Sequence, residues 1–396
     1  MNKSSISDLK FNENWILYLA FFALGFGKFI FYVPLFALYF FLKGAQTFSM
    51  PIRSSYLVLL CLMLFATLPL YTFGGARMTI DAPLKSLVPL LFILVVAGFV
   101  LQAKTQDLQF KLIVLYVLGF GFDALVLVGY SYWVDASRYG YNLLLNPLNG
   151  EEVNSPGASN TLSLMAAMLV FFLFQRLVLI KKLAVLLLLF VLLIAAFFLG
   201  GRSFFVILAA SFLIVLMLDV KLVQLPKVFF YSAAILLFGL VFIFNLDFLS
   251  DKLAFTLLRL SHGLESEARF ELYADGMSVF FDYPFGGFSV DTNLVSTKWF
   301  HNIFLDNARI GGWFPVLSLI LAMMYIASAY FRKRNTYFVF AFLLFIVSVL
   351  IMQQDVVLEG NFRILMVMYF VGILLHAHQL SFKTTHNYSH AKLTGN

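Results

Sequence analysis

The chain has 396 residues, of which 62% are hydrophobic and only 12% carry a charge. Soluble domains are about half apolar and about a quarter charged, so this composition excludes an ordinary soluble protein. Apolar runs of roughly 17–25 residues recur along the chain without alternating polarity, which favours membrane-spanning helices over a β-barrel. The net charge of +7 does not indicate a nucleic-acid partner, because the basic residues are spread over short loops rather than gathered on one face.

Periodicity and length predict an all-α polytopic membrane protein. Twelve spans are expected, at 9–24, 28–42, 54–72, 83–101, 111–132, 160–178, 183–199, 203–218, 228–245, 311–331, 336–353 and 361–378. The chain thus divides into nine spans within 1–245, a loop at 246–310, and three spans with a tail within 311–396. Gly25, Gly27 and Lys28 lie in the middle of the apolar run 9–42 and favour a tight hairpin between its two spans. The polar amino terminus precedes no cleavage site, so no signal peptide is expected.

The basic residues indicate which side of the membrane each loop faces. With a cytoplasmic amino terminus, the cytoplasmic segments hold 16 of the 27 Lys and Arg residues and few acids, as the positive-inside rule requires. An even number of spans then places both termini in the cytoplasm. Three longer segments face outward, at 133–159, 246–310 and 353–363.

One arginine stands at the outer edge of a span. Arg202 follows Gly200 and Gly201, which let the backbone turn or approach a ligand closely. Its planar guanidinium suits phosphate oxygens. The competing interpretation is an arginine that reaches the lipid headgroups and has no further role.

The outer loop contains a predicted amphipathic helix at 265–281. An apolar stripe at helical spacing predicts that this helix lies along the membrane surface; it consists of Phe270, Tyr273, Met277 and Phe280. Arg269 precedes the stripe and has acidic neighbours that include Glu265 and Glu267. These acids either hold the guanidinium towards a diphosphate or form an ordinary salt-bridged helix face. The run 282–287, with Pro284 and two glycines, ends the helix.

A second polar group follows at 299–315. A helix is expected to begin at His301 or Asn302. His301, Leu305 and Arg309 would then share one face, and Asn302, Asp306 and Arg309 an adjacent one. A histidine in the first turn lies at the positive end of the helix dipole, which favours the neutral imidazole that a general base requires. The alternative is an interface histidine without a chemical role.

Other charged residues give weaker indications. No His, Cys or acidic spacing resembles a metal motif, so no metal site is expected. Asp123 lies within a span, which makes it a functional candidate by default, although pairing with another helix explains it equally well. Cys61 lies in an apolar run and is expected to be a small core residue.

Four motifs in order carry a resemblance to a known family: Gly200-Gly-Arg202, Ala268-Arg269 with Tyr273, Tyr283-Pro-Phe-Gly-Gly287, and His301-Asn302 with Gly311-Gly312. Together with the twelve-span layout, they resemble the bacterial O-antigen ligase and O-antigen polymerase superfamily. The motifs cover roughly 200–315, and none of them is specific by itself.

The resemblance implies a C-type glycosyltransferase fold in the bacterial inner membrane, with the active face in the periplasm. It implies a metal-independent, cofactor-free transfer of a glycan from undecaprenyl diphosphate to a sugar hydroxyl. Arg202 and Arg269 would bind the diphosphate, and His301 would deprotonate or orient the acceptor. We expect Asn302, Asp306, Arg309, Glu265 and Glu267 to contribute to substrate binding.

The family includes two activities. A polymerase extends a lipid-linked glycan, whereas a ligase transfers finished glycan to lipid A core; a chain-length regulator is a further possible partner of a polymerase. Gly312 is followed here by Trp313-Phe314-Pro315, which departs from the ligase motif and favours the polymerase. Outside this family, a lipid-linked glycan transporter is the main alternative and is not an enzyme. A shape-determining peptidoglycan polymerase is an enzymatic alternative with a similar donor, but its motifs are absent from the sequence.

Overall fold

The computed structural model describes residues 14–43, 54–72, 93–98, 100, 105–135, 143–219, 268–290, 299–331, 337–357 and 361–376. These residues are mostly helical. The helices are α1 (Trp15–Phe26), α2 (Phe29–Lys43), α3 (Ser54–Thr72), α4 (Gln106–Val134), α5 (Ser155–Phe174), α6 (Leu179–Leu199), α7 (Arg202–Asp219), α8 (Ala268–Val279), α9 (Ile303–Gly311), α10 (Trp313–Ala327), α11 (Phe338–Met352) and α12 (Phe362–His376). A short antiparallel pair, β1 (Leu144–Leu145) and β2 (Glu152–Val153), lies between α4 and α5.

The helical character predicted from composition is confirmed. Helices α4, α5 and α6 are long and apolar enough to cross a membrane, and seven shorter apolar helices accompany them in the described part of the chain. The predicted span at 228–245 and most of the one at 83–101 lie outside the described residues. The total of twelve spans and the C-type glycosyltransferase fold therefore stay predictions.

The predicted hairpin at the start of the chain is present. Gly27 ends α1 with a φ of 76°, and its N–H donates to the carbonyls of Ala23 and Leu24. A left-handed residue at this position is typical of a helix end that turns sharply, and glycine adopts it without strain. Helix α2 begins two residues later, at Phe29.

Glycines allow α1 to pack directly on α4. A Cβ at Gly25 would overlap the carbonyl oxygen of Tyr116, and a Cβ at Gly119 would overlap the carbonyl oxygen of Phe22. Close backbone approach of this kind strengthens helix association where the hydrophobic effect is weak. The contact positions Asp123 of α4 beside the α1–α2 turn.

Helix α5 occupies the centre of the bundle. In the most apolar window of α5, 83% of the residues are buried, compared with 28% for α6, which therefore lies at the periphery. Cys61 on α3 is exposed, so the expectation of a core cysteine is wrong. A helix in a membrane can present apolar residues outward because the surrounding lipid is as apolar as a core.

One end of the bundle collects the polar segments. Helices α4, α6 and α11 end there, and α5, α7 and α12 begin there. Helices α8 and α9 cover this end, packed on a small apolar cluster of Leu272, Phe288, Phe300, Leu305, Ala308 and Val316. We call this the site end of the bundle.

Candidate functional site

His301 lies in a strained loop at the start of α9. Its φ of 56° is the only positive value among the described non-glycine residues. Such a conformation costs free energy in a residue with a Cβ and persists only where the surroundings enforce it. We call residues 299–302 the histidine loop.

Asp306 enforces this conformation. Its two carboxylate oxygens accept the backbone N–H groups of Phe300, at 2.8 Å, and Asn302, at 3.2 Å, on either side of His301. Asp306 is 2% exposed, so these charge-assisted bonds form away from water. The structure thus gives the predicted substrate-binding residue Asp306 a role in shaping the loop.

Asn302 is the N-cap of α9. Its side-chain oxygen accepts the N–H groups of Phe304 and Leu305, and its amide donates to the Gln353 side chain at 3.0 Å. His301 therefore precedes the helix rather than lying in its first turn, and the expected helical face shared by His301 and Arg309 is wrong. The sequence left open whether the helix begins at His301 or at Asn302, and the structure has Asn302 as the cap, a role that asparagine commonly fills.

A tyrosine connects the histidine loop to α8 and to the end of α11. The Tyr273 hydroxyl donates to the Gln353 carbonyl at 2.6 Å and lies 3.3 Å from the His301 carbonyl oxygen. Burial raises the pKa of this hydroxyl, which keeps its proton available for donation. Three segments that are far apart in sequence are fixed around one histidine as a result.

The imidazole of His301 is neutral at physiological pH, as the sequence predicted, but for a different reason. Burial, followed by the charge of Arg269, lowers its pKa to about 4. Both effects disfavour the imidazolium. Arg269 thus lies within electrostatic range of His301, which brings two of the three predicted catalytic residues together.

The helix that carries Arg269 packs on the protein through residues outside the predicted stripe, whose position against a membrane stays a prediction. Phe270 and Met277 are about half exposed, whereas Leu272 and Gly276 face the protein. The Cβ position of Gly276 lies 2.8 Å from the Phe300 ring, so a larger residue would displace the histidine loop. Close packing at Gly276 decides the orientation of α8, and the apolar periodicity alone did not contain that information.

A buried carboxyl group also lies within electrostatic range of Arg269. Asp355, between α11 and α12, is 6% exposed and accepts hydrogen bonds from the Val356 N–H at 2.9 Å and the Asn361 amide at 3.3 Å. Asn160 of α5 lies close enough to Asp355 to favour its charged form. Burial raises the pKa of Asp355, while these hydrogen bonds and Arg269 oppose the rise.

Arg202 begins α7 next to this group of residues. Its predecessor Gly201 packs so closely on Ser159 that a Cβ would overlap the serine hydroxyl, and its successor Ser203 donates to Asn160 at 3.2 Å. The backbone on both sides of Arg202 is therefore fixed against α5, the helix that carries Asn160. The structure places Arg202 at the same end of the bundle as Arg269 and His301.

Several polar atoms in this region have no protein partner among the described residues. The hydroxyls of Ser155 and Ser159 and the side-chain carbonyl of Asn361 are buried without a hydrogen bond. Buried polar groups in native proteins almost always have a partner, and water or a ligand supplies it where the protein does not. The two serines lie in the first turns of α5, and Asn361, which donates to Asp355, directly precedes α12.

Arg309 and two glycine turns, at 284–287 and Gly311–Gly312, pack together beside the histidine loop. The Arg309 guanidinium lies 4.4 Å from the Trp299 ring centre, and its carbonyl accepts the Gly287 N–H at 2.7 Å. The Trp313 N–H in turn donates to Pro284 at 2.9 Å. The run 284–287 thus packs against the Gly311–Gly312 turn and is joined to it by backbone hydrogen bonds. Glu265 and Glu267 lie outside the described residues.

Sequence reasoning missed Asp355, Asn160 and Asn361. Two signals were present: the outward segment 353–363 contains an acid between polar residues, and α5 opens with the polar run Ser155-Pro-Gly-Ala-Ser-Asn-Thr161. Neither signal shows that the two segments meet. The Asn361 amide lies 3.4 Å from the Gly157 carbonyl and 3.5 Å from the Thr161 hydroxyl, and only the fold brings these groups together.

The fold and the site define a helical protein with membrane-length apolar helices and a polar group of residues at one end. Comparison of the chain with protein-family models found no match, and comparison with curated proteins found none either.

Proposed function

We propose that this chain is a polyprenyl-diphosphate-dependent glycosyltransferase of the bacterial inner membrane, with its site at the periplasmic face. The proposed activity is that of an O-antigen polymerase, which transfers an undecaprenyl-diphosphate-linked glycan to a sugar hydroxyl. The observation that carries the proposal is the neutral His301, held in a strained loop with Arg269 beside it. Strain at a titratable residue of perturbed pKa is typical of functional sites.

The proposed reaction needs one base and one leaving-group site. The acceptor hydroxyl oxygen bonds to the anomeric carbon while the bond from that carbon to the diphosphate oxygen breaks. The hydroxyl proton passes to the His301 imidazole, and the diphosphate leaves with the electron pair. Guanidinium groups of Arg202 and Arg269 stabilise the charge that develops on the diphosphate.

The low pKa of His301 connects donor binding to proton transfer. A base with a pKa of about 4 accepts a proton poorly at neutral pH. A diphosphate bound at Arg269 introduces negative charge that offsets the arginine and favours the imidazolium, which raises the pKa of His301. His301 thus becomes a better base only when the donor is present. While the donor site is empty, the imidazole stays unprotonated.

Loss of the chain from a cell that makes O-antigen tests the activity. Gel analysis of surface lipopolysaccharide is expected to show core with a single repeat. Core without any repeat, together with accumulated lipid-linked polymer, would identify a ligase instead. Normal lipopolysaccharide with an unaltered pool of lipid-linked glycan would refute both transferase activities.

Complementation with variants tests the residues. Arg202→Ala, Arg269→Ala and His301→Ala are each expected to abolish chain extension while the protein still inserts in the membrane. Arg176→Ala is the matched control, because Arg176 is exposed at the opposite end of the bundle, directly after α5. Wild-type glycan from any of the three site variants would remove that residue from the proposed site.

Labelling tests the orientation. In a Cys61→Ser background, a cysteine introduced at the exposed Ser289 is expected to react with an impermeant thiol reagent from the periplasm. Reaction only after the cytoplasm has been opened would reverse the proposed topology.

A further inference from the structure

A second charged group lies away from the histidine loop, between α4 and the α1–α2 turn. Asp123 of α4 is bonded by Arg363 at 2.8 Å and lies 3.4 Å from the Lys28 ammonium. The Asp123 side chain is 3% exposed, whereas Lys28 and Arg363 are 19% and 23% exposed. The cations therefore form the accessible side of this group.

Two cations share one carboxylate here, so the group carries an excess positive charge. A structural ion pair within a membrane is expected to be neutral, because an uncompensated charge is costly in hydrocarbon. Asp123 lies about three helical turns, roughly 16 Å, before the end of α4 at Val134, whereas Lys28 lies in the α1–α2 turn and Arg363 in the first turn of α12. An excess positive charge among these apolar helices calls for an anionic partner.

The guanidinium of Arg363 is oriented so that part of it stays available. Its Nη1 donates both to Asp123, at 2.8 Å, and to the Gly25 carbonyl, at 2.9 Å. The other nitrogens, Nε and Nη2, make no hydrogen bond with the described residues. Arg363 crosses directly over Gly27, where any side chain would overlap it. Planar guanidinium donors of this kind match phosphate oxygens.

An apolar surface adjoins the charged group. Aromatic rings of α1, α2 and α4 contact one another at centroid distances of 6.0–6.2 Å, through Phe22, Phe26, Phe31 and Phe122. Phe122 precedes Asp123 and is 47% exposed, and Phe31 is 45% exposed. A cationic site next to exposed aromatic rings matches an amphiphile that has an anionic head and an apolar chain.

We propose that Lys28 and Arg363 bind the phosphate of a membrane lipid whose chain lies along these aromatic rings. Asp123 orients the two cations and limits their charge. The site differs from the histidine loop, although Arg363 is the second residue of α12 and follows the Asp355-bonded Asn361 by two residues. Two lipids offer this chemistry, an anionic phospholipid and a polyprenyl phosphate.

Lipid binding to the purified full chain in detergent micelles tests the proposal. Native mass spectrometry would measure the binding of phosphatidylglycerol, a polyprenyl phosphate and diacylglycerol, which lacks phosphate. Lys28→Gln neutralises the group and keeps the Arg363–Asp123 pair, so it is expected to weaken phosphate-lipid binding about tenfold. Asp123→Asn adds a further unit of positive charge and is expected to tighten binding several-fold.

Lys181→Gln is the matched control, since Lys181 is exposed at the start of α6. It removes the same charge as Lys28→Gln and is expected to leave binding unchanged. The stronger of the two phosphate lipids identifies the source of the ligand. Equal binding by all the variants, or binding of diacylglycerol as strong as that of the phosphate lipids, would overturn the proposal. His301→Gln should bind lipid normally, so failure of the proposed transferase activity is distinguishable from failure of this site.

Discussion

Replacement of Arg269 by glutamine is expected to raise the pKa of His301, but only part of the way to that of an ordinary histidine. Burial is the larger cause of the low value of about 4, and Arg269 is the smaller one. The variant removes less than half of the shift from the ordinary 6.5. Its midpoint should therefore fall in the lower half of the interval between those two values.

Carbethoxylation of histidine as a function of pH measures this midpoint, because only the neutral imidazole reacts. Peptide mass spectrometry would distinguish His301 from the other five histidines. Lys181→Gln, which removes an exposed charge at the other end of the bundle, should leave the titration unchanged. A wild-type midpoint near 6.5 would refute the buried, arginine-flanked environment, and a variant midpoint of 6.5 would show that Arg269, rather than burial, dominates.

The same shift predicts how stability depends on pH. The folded His301 has a lower pKa than the unfolded one, so between about 4 and 6.5 the unfolded chain binds more protons. Stability contributed by the neutral histidine is thus present above pH 6.5 and declines as the pH falls towards 4. The slope for this single group is at most about 1.4 kcal/mol per pH unit.

Three substitutions test how the site is held, with thermal unfolding in micelles and the transfer assay as measurements. Gly312→Ala should destabilise the protein by about 1–3 kcal/mol or more, because the positive φ is unfavourable for alanine and the new Cβ would overlap the Pro284 carbonyl. Gly287→Ala is the control, since Gly287 also has a positive φ but open space around its Cβ position, and it should cost less. A larger loss of stability for Gly287→Ala than for Gly312→Ala would contradict this explanation. Asp306→Asn should cost about 1.5–3 kcal/mol and reduce transfer, since an amide cannot accept from both N–H groups, and an unchanged melting temperature would show that the two bonds do not hold the loop. Tyr273→Phe should cost about 1 kcal/mol and reduce transfer in a folded protein, whereas full activity would separate the tyrosine from the positioning of the histidine loop.

Residues 353–357 and 361–363 carry contacts of both charged regions of the molecule. Gln353 contacts the histidine loop, Asp355 lies within electrostatic range of Arg269 on α8, and Arg363 bonds to Asp123 on α4. Each contact joins these residues to a different part of the fold. Occupancy of the lipid-phosphate site at Arg363 would consequently bear on the start of α12, which the site asparagine Asn361 directly precedes.

The amino-acid sequence by itself determined the helical membrane character, the first hairpin and the position of the polar centre. Hydrophobic periodicity and helix breakers act over a few residues, so local patterns suffice for these features. Gly27, for example, ends α1 in a left-handed conformation that glycine adopts without strain, so this turn does not depend on which helices pack against α1. The region around His301 likewise stands out as a polar run between apolar spans.

Only the tertiary structure decided which side chains meet. The Asn160–Asp355 and Asp123–Arg363 contacts join residues about two hundred positions apart, and no periodicity encodes such a pairing. The protonation of His301 is a consequence of the same kind, because its low pKa depends on burial and on an arginine of another helix. In the sequence, Asp123 was equally well explained as a functional residue or as the partner of another helix. The structure shows that it pairs with two cations from other segments, Lys28 and Arg363.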